Sequence, residues 1–308
     1  MSKGNSPAVA HLAALTTILI WGTTFISTKV LLVAFTPIEI LFFRFVIGFV
    51  ALFVAHPKII KFQKVKEELM FAGAGLCGVT MYFLCENIAL TYTQASNVGI
   101  IVSVAPFFTA VLAHFFLKGE RLKPRFLAGF VIAMAGVVLI ALNGSYILKL
   151  NPIGDILAVL ACVFWAVYSV LMRKIGAWGY NNIAVTRRIF FYGLLFMLPA
   201  LPFLNFRLGA ERLANPVNLL NLVFLAVGAS ALCFVIWNWC VGKLGAVKTS
   251  NYIYLIPLVT IVASYFILKE RITIAALLGM LLTLLGLFLS EGKQLRLGKK
   301  TGKDVLTP

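Results

Sequence analysis

FFLKGERL, residues 115–122, closes a long apolar run with a knot of charge, and YFILKERI, residues 265–272, closes another in nearly the same letters. Two apolar segments that end on one word, 150 residues apart, point to an internal duplication. Overlaying residues 10–143 on 153–290 extends the match. Trp21 falls on Trp165 and Arg44 on Arg188, both at an offset of 144. Ser96-Asn97 meets Ser250-Asn251 at 154, Pro106 meets Pro257, and Gly129 and Gly136 meet Gly279 and Gly286 at 150. A single shared dipeptide is cheap; an ordered series of this length is not.

Composition says what solvent the duplicated unit needs. Of 308 residues, 61% are hydrophobic and 12% charged, against about 45–50% and 25% in soluble domains. Too few charges remain to cover a water-facing surface, so the chain reads as an all-α integral membrane protein. Taking about 20 apolar residues per crossing gives ten spans: 10–31, 37–55, 69–91, 95–117, 126–143, 153–172, 183–204, 219–242, 249–268 and 272–290. The longest connection, 205–218, is a polar surface loop containing Pro216, and there is no room for a soluble domain. The basic tail 291–308 is expected to be disordered.

Each copy holds five spans, an odd number, so the second enters the membrane upside down relative to the first. Inverted five-helix repeats, 10–143 and 153–290, give two packings of similar energy, one open to each side, which is a transporter signature. Orientation follows from Lys and Arg in the connections. With residues 1–9 cytoplasmic, 18 lie inside and 6 outside, so both termini are expected in the cytoplasm.

WGTTFISTK in the first span, RF in the second, P-x13-E-R-L between the fourth and fifth and G-x6-G in the fifth, nearly all duplicated in order, resemble the drug/metabolite transporter superfamily. More narrowly, each half is similar to an EamA-type domain. The likeness covers residues 10–290, and departs where WAVYSVLMRK lacks the glycine of WGTTFISTK. The resemblance implies alternating-access movement of small metabolites or amino acids, often outward, across an inner membrane. An uptake permease of the same fold, for a nucleotide- or vitamin-like solute, is the alternative.

Polar groups at membrane depth are functional candidates by default. Arg44 lies about 10 Å into the second span, where it either forms an ion pair, snorkels, or serves substrate or a gate. Glu86 is the one acidic residue well inside a span, at a similar depth, where it can pair with Arg44 across the bundle, and is the candidate for proton coupling. Arg188, the mate of Arg44, is a candidate inner gate, level with Asn238, while Arg187 is expected to snorkel to the headgroups. Asn97 and Asn251 cap helices or face a cavity. Trp21, Trp165, Tyr168 and Tyr252 are candidate cavity walls, whereas Trp237, Trp239 and Tyr92 are expected to anchor at the interface. Pro106 and Pro257, mid-span, are candidate hinges. The four glycines at spacing seven lie along one helix face and suit close packing, between the halves or in a dimer.

The net charge of +17 lies in short clusters between spans, a topology signal, so no nucleic acid partner is expected. The five cysteines have no metal-type spacing, and neither metal nor cofactor is implied. No H-E-x-x-H, G-x-S-x-G or phosphate loop is present, which argues against a membrane enzyme and against ATP-driven transport by this chain alone. A channel is the other rival. Small-molecule substrate, membrane lipid and a proton are the expected partners, with the chain a monomer or homodimer.

Overall fold

The structure, a computed structural model, describes residues 7–92, 95–141, 151–268 and 273–291. Lys3, Lys149, the 269–272 part of the second charged word and the tail from 292 lie outside the described residues.

The first half runs α1 (Pro7–Leu31), α2 (Pro37–Ala55), then α3 (Val65–Gly75), a π-helical stretch Leu76–Met81 and α4 (Tyr82–Tyr92) as one continuous rod. It continues with α5 (Ala95–Val102), α6 (Ala105–Phe116) and α7 (Pro124–Ala141). In the second half come α8 (Pro152–Gly176), α9 (Asn182–Met197) and a short α10 (Ala210–Leu213). Then α11 (Pro216–Val223), a π-helical stretch Phe224–Leu232 and α12 (Cys233–Leu244) form another rod, followed by α13 (Ala246–Ser250), a 3-10 stretch Asn251–Leu255, α14 (Ile256–Leu268) and α15 (Ile274–Glu291). Among the described residues, six of these rods are long and apolar enough to cross a bilayer unbroken. The other four crossings are the two interrupted fourth spans and the fifth helices α7 and α15, each of 18 residues.

Starts are set by side chains the sequence supplies. Thr36 accepts from the Glu39 N–H while Glu39 accepts from the Thr36 N–H, a capping box with Pro37 in the first turn. Asn151, Asn181 and Asn215 cap α8, α9 and α11. Each cap satisfies amides that would otherwise lack partners at a helix end.

The structure corrects several boundaries. The seventh span does not stay α-helical to 204; α9 ends at Met197 and yields to two 3-10 turns where Pro199 and Pro202 remove donors. Pro216 opens a helix instead of sitting in a loop, because its missing N–H costs nothing at a first turn. Pro106 and Pro257 lie in the first turns of α6 and α14, so the fourth and ninth spans are broken where a continuous kinked helix was expected.

The halves interlock by their π-helical stretches. Leu76–Met81 packs on α8 and α9 of the second half, and Phe224–Leu232 packs on α1 and α2 of the first. The fifth helices α7 and α15 meet along the glycine face. A Cβ at Gly136 would come within 2.5 Å of the Gly279 carbonyl oxygen, so only glycine lets the two backbones approach this closely. Gly22 answers to a different neighbour: a Cβ there would lie 2.5 Å from the Val259 side chain. Its counterpart in the second half is Ala166, where the glycine is missing from the repeat. The cysteines are free, and four of the five are buried.

Candidate functional site

Between the halves lies a cavity of about 30 Å³, space for about two water molecules. Its wall draws on Trp21, Thr24 and Phe25 of α1, Arg44 of α2, Tyr82, Phe83 and Glu86 of α4, and Val102 of α5. The second half contributes Trp165 of α8 together with Ile253 and Ile256 beside the ninth-span break. In this conformation the cavity has space for water rather than for a drug-sized solute.

Arg44 and Glu86 share this chamber without touching. Arg44 is 3% exposed; its Nε donates to the Ser230 hydroxyl, and its guanidinium carbon sits 4.3 Å from the Phe83 ring centre. Glu86 is 7% exposed and Oε1 accepts from the Tyr82 hydroxyl at 3.0 Å. Among the described residues no ion pair joins them, and neither the terminal nitrogens of Arg44 nor Oε2 of Glu86 has a hydrogen-bond partner. The pairing of Arg44 with Glu86 that their common depth suggested is thus not formed. Trp165 adds an unpartnered buried indole N–H.

The aromatic wall is organised by the second π-helical stretch. The Trp21 indole donates to the Ala229 carbonyl at 2.8 Å, one residue from the Ser230 that holds Arg44. Trp21 meets Trp165 edge-on at 5.4 Å and Trp237 at 4.8 Å, and Tyr82 lies 4.9 Å from Trp165. Trp237 is 1% exposed and belongs to this core, not to the membrane interface. Its position near the end of an apolar run resembles that of an anchor, and only the packing tells the two apart.

The other sequence candidates lie elsewhere. Tyr168 donates to Asn238 at 2.6 Å, and Asn238 donates to Thr186, a closed network behind the cavity. Tyr252 hydrogen-bonds His11 at 2.6 Å. Asn251 is buried in a separate cavity, and the Asn97 side chain lies outside the described part. Four candidates, Trp21, Arg44, Glu86 and Trp165, therefore converge. Tyr82 and Ser230 were missed. The i,i+4 spacing of Tyr82 and Glu86 was a usable signal; the approach of Ser230 to Arg44 depends on a π-helical register that no periodicity announces.

Carboxylates of the first half tie both ends of the bundle to the second. At the end carrying Lys58, Lys118, Lys123 and Lys248, the basic end, Glu68 accepts from Arg188 and from the Tyr192 hydroxyl, and Arg188 also reaches the Ile60 carbonyl. Arg187 is 5% exposed and donates to the His56 and Lys58 carbonyls instead of snorkelling, because those carbonyls leave the second span beside it. Glu120 accepts from the N–H groups of Ala246 and Val247 at 3.0 and 2.9 Å and pairs with Arg173 at 3.2 Å. At the opposite end Glu39 takes two bonds from Arg212 and one from the Arg207 N–H, and this contact holds the Arg212 guanidinium above its ordinary range. The opening word, KGER, thus supplies a carboxylate that fastens one half to the other.

The family model of the EamA-like transporter family matches residues 8–142 and again 152–291. An uncharacterized transporter of Archaeoglobus fulgidus is 29% identical over 92% of this chain and 98% of its own. A probable terminal-alkyne amino-acid exporter of Streptantibioticus cattleyicolor is 26% identical, covering 92% and 93%. A probable amino-acid metabolite efflux pump of Escherichia coli is 26% identical, covering 90% and 91%. A solved crystal structure at 22% identity superposes with a TM-score of 0.73 over 92% of this chain and 97% of that one.

Proposed function

The chain belongs to the EamA-like transporter family, and from that premise we propose that it exports amino acids or closely related zwitterions by alternating access. The observation that carries this reading is the pair of buried opposite charges, Arg44 and Glu86, each with one side free in an aromatic chamber. A zwitterion placed between them sets its carboxylate on the Arg44 terminal nitrogens and its ammonium on Glu86 Oε2, both charge-assisted bonds. Its side chain then rests among Trp21, Phe25 and Phe83, which suits partly apolar solutes. Two of the relatives are named for amino-acid export, which supports the substrate class and the direction.

In this reading residues 10–143 and 153–290 move as two units. The Glu68–Arg188 and Glu120–Arg173 contacts form the gate at the basic end, and Glu39–Arg212 forms the opposite one. Loading requires one set to part while the other holds. The breaks before Pro106 and Pro257 are the hinges, since interrupted helices bend without losing further backbone bonds. The remaining candidates, Tyr168, Asn238 and Tyr252, support the chamber walls. The excess of Lys and Arg supports an orientation with the basic end and both termini in the cytoplasm, and an inner-membrane location goes with that reading. Glu86, as the acid in the chamber, carries the coupling proton. A monomer suffices, because the glycine face that could have served a dimer is used between α7 and α15.

The test is growth of cells overproducing the protein against a panel of toxic amino acids and analogues. The reading expects resistance with lowered internal solute; heightened sensitivity with raised internal solute overturns the direction, and an unchanged response to the whole panel overturns the substrate class.

A further inference from the structure

A second cavity of about 320 Å³ lies at the basic end and shares no wall residue with the central one. It is bounded by the 117–125 corner, α6, α13 and the end of α15. Five cationic side chains, Lys118, Arg121, Lys123, Arg173 and Lys248, stand around it against one carboxylate, Glu120, already held by Arg173 and two backbone amides. Its depth is polar as well. Asn251 is fully buried, and neither its amide nitrogen nor its oxygen has a hydrogen-bond partner; Ser290, 9% exposed, has an unpartnered hydroxyl. Buried polar groups in folded proteins are almost always satisfied, so a cluster of three such atoms under a ring of cations marks a place for a ligand.

We infer that this cavity binds a phosphate ester bearing a free hydroxyl, the chemistry shared by the headgroup of an anionic glycerophospholipid and by a small soluble phosphate ester. Phosphate oxygens can serve several of the rim cations at once, as basic pockets between membrane helices do for anionic headgroups. The Asn251 amide donates to one oxygen, and its carbonyl together with Ser290 takes the hydroxyl. The flanking side chains favour the lipid source: Phe115, Phe116, Phe288 and Leu289 are exposed large apolar groups next in sequence to the rim and floor, a surface along which acyl chains can lie. A bound headgroup bridges the 118–125 corner of the first half to α13 of the second, over the Glu120 contact, and so stabilises the form in which this end is shut.

The experiment uses the full chain, purified and tested with phosphatidylglycerol, phosphatidylcholine, glycerol 3-phosphate and inorganic phosphate. Native mass spectrometry is expected to show phosphatidylglycerol retained at least about tenfold over phosphatidylcholine, with the preference lost in the triple variant Lys118→Gln, Arg121→Gln, Lys123→Gln. Protection of the protein against heat by glycerol 3-phosphate or inorganic phosphate in phosphatidylcholine micelles, matching that of phosphatidylglycerol, assigns the site to a free phosphate; protection by phosphatidylglycerol alone assigns it to lipid. Should the triple variant not fold by circular dichroism, Lys248→Gln and Asn251→Leu carry the same comparison. Equal retention and equal protection in wild type and folded variants overturns the inference.

Discussion

Replacing Arg44 with glutamine separates substrate recognition from support of the fold. Glutamine keeps a donor that can reach Ser230 but removes the charge and the pair of terminal nitrogens that face the chamber. Because Arg44 is 3% exposed, a substrate carboxylate on it is drawn out of water and the interaction is poorly screened. A hydrogen bond to a charged group contributes about 1.5–3 kcal/mol, which at about 1.4 kcal/mol per decade is a fall of about 10- to 140-fold in transport efficiency. The assay is counterflow in vesicles containing the purified protein, comparing an amino acid with the amine left when its carboxylate is removed. Arg44→Gln should reduce flux of the amino acid by that factor and change flux of the amine less than about twofold. A fall of equal size for both solutes would make Arg44 a structural residue only.

Glu86→Gln should fold and be produced as the parent is, yet lose any dependence of transport on a pH gradient; a retained dependence removes Glu86 from proton coupling. Gly136→Leu places a side chain where the Gly279 carbonyl and the Thr283 amide already stand, each 2.5 Å from the added Cβ. Overpacking of that kind costs about 1–3 kcal/mol, so the midpoint of thermal unfolding in detergent should drop, and an unchanged midpoint contradicts the seam between α7 and α15. Glu120→Ala uncaps the amides of Ala246 and Val247. Losing a cap costs roughly 0.5–2 kcal/mol, or about 2- to 25-fold faster amide exchange across 246–250; exchange at the parental rate would show the contact to be incidental.

The ten crossings and their inverted pairing were legible because both rest on features a bilayer enforces: apolar length, charge between spans, and an odd number of spans per copy. Trp21 and Trp165 were found through the duplication itself, since symmetry mates in an inverted repeat meet at the axis between the halves. Arg44 and Arg188 show where that logic stops. They are mates in sequence, yet one faces the central chamber and the other a carboxylate of α3, because the partners Ser230 and Glu68 are not themselves mates. The π-helical stretches were invisible, since a wider turn leaves the apolar composition unchanged and moves only the register. For Trp237 and Arg187 composition favoured an interface, and what buried them instead was contact with distant segments, the Trp21 ring in one case and the carbonyls after α2 in the other. Local pattern cannot report such contacts.

The most direct test of alternating access is a single cysteine in the chamber wall, Thr24→Cys, in a chain whose five native cysteines have been replaced. Membrane-impermeant thiol reagents are applied to sealed vesicles from one side or the other, with and without substrate. Alternating access requires labelling from each side, protection by a transported zwitterion, and loss of access from one side when the chain is held open to the other. A position reachable from both sides in the same state would mean a channel, and one reachable from a single side under every condition would mean a static pocket; either result contradicts the account.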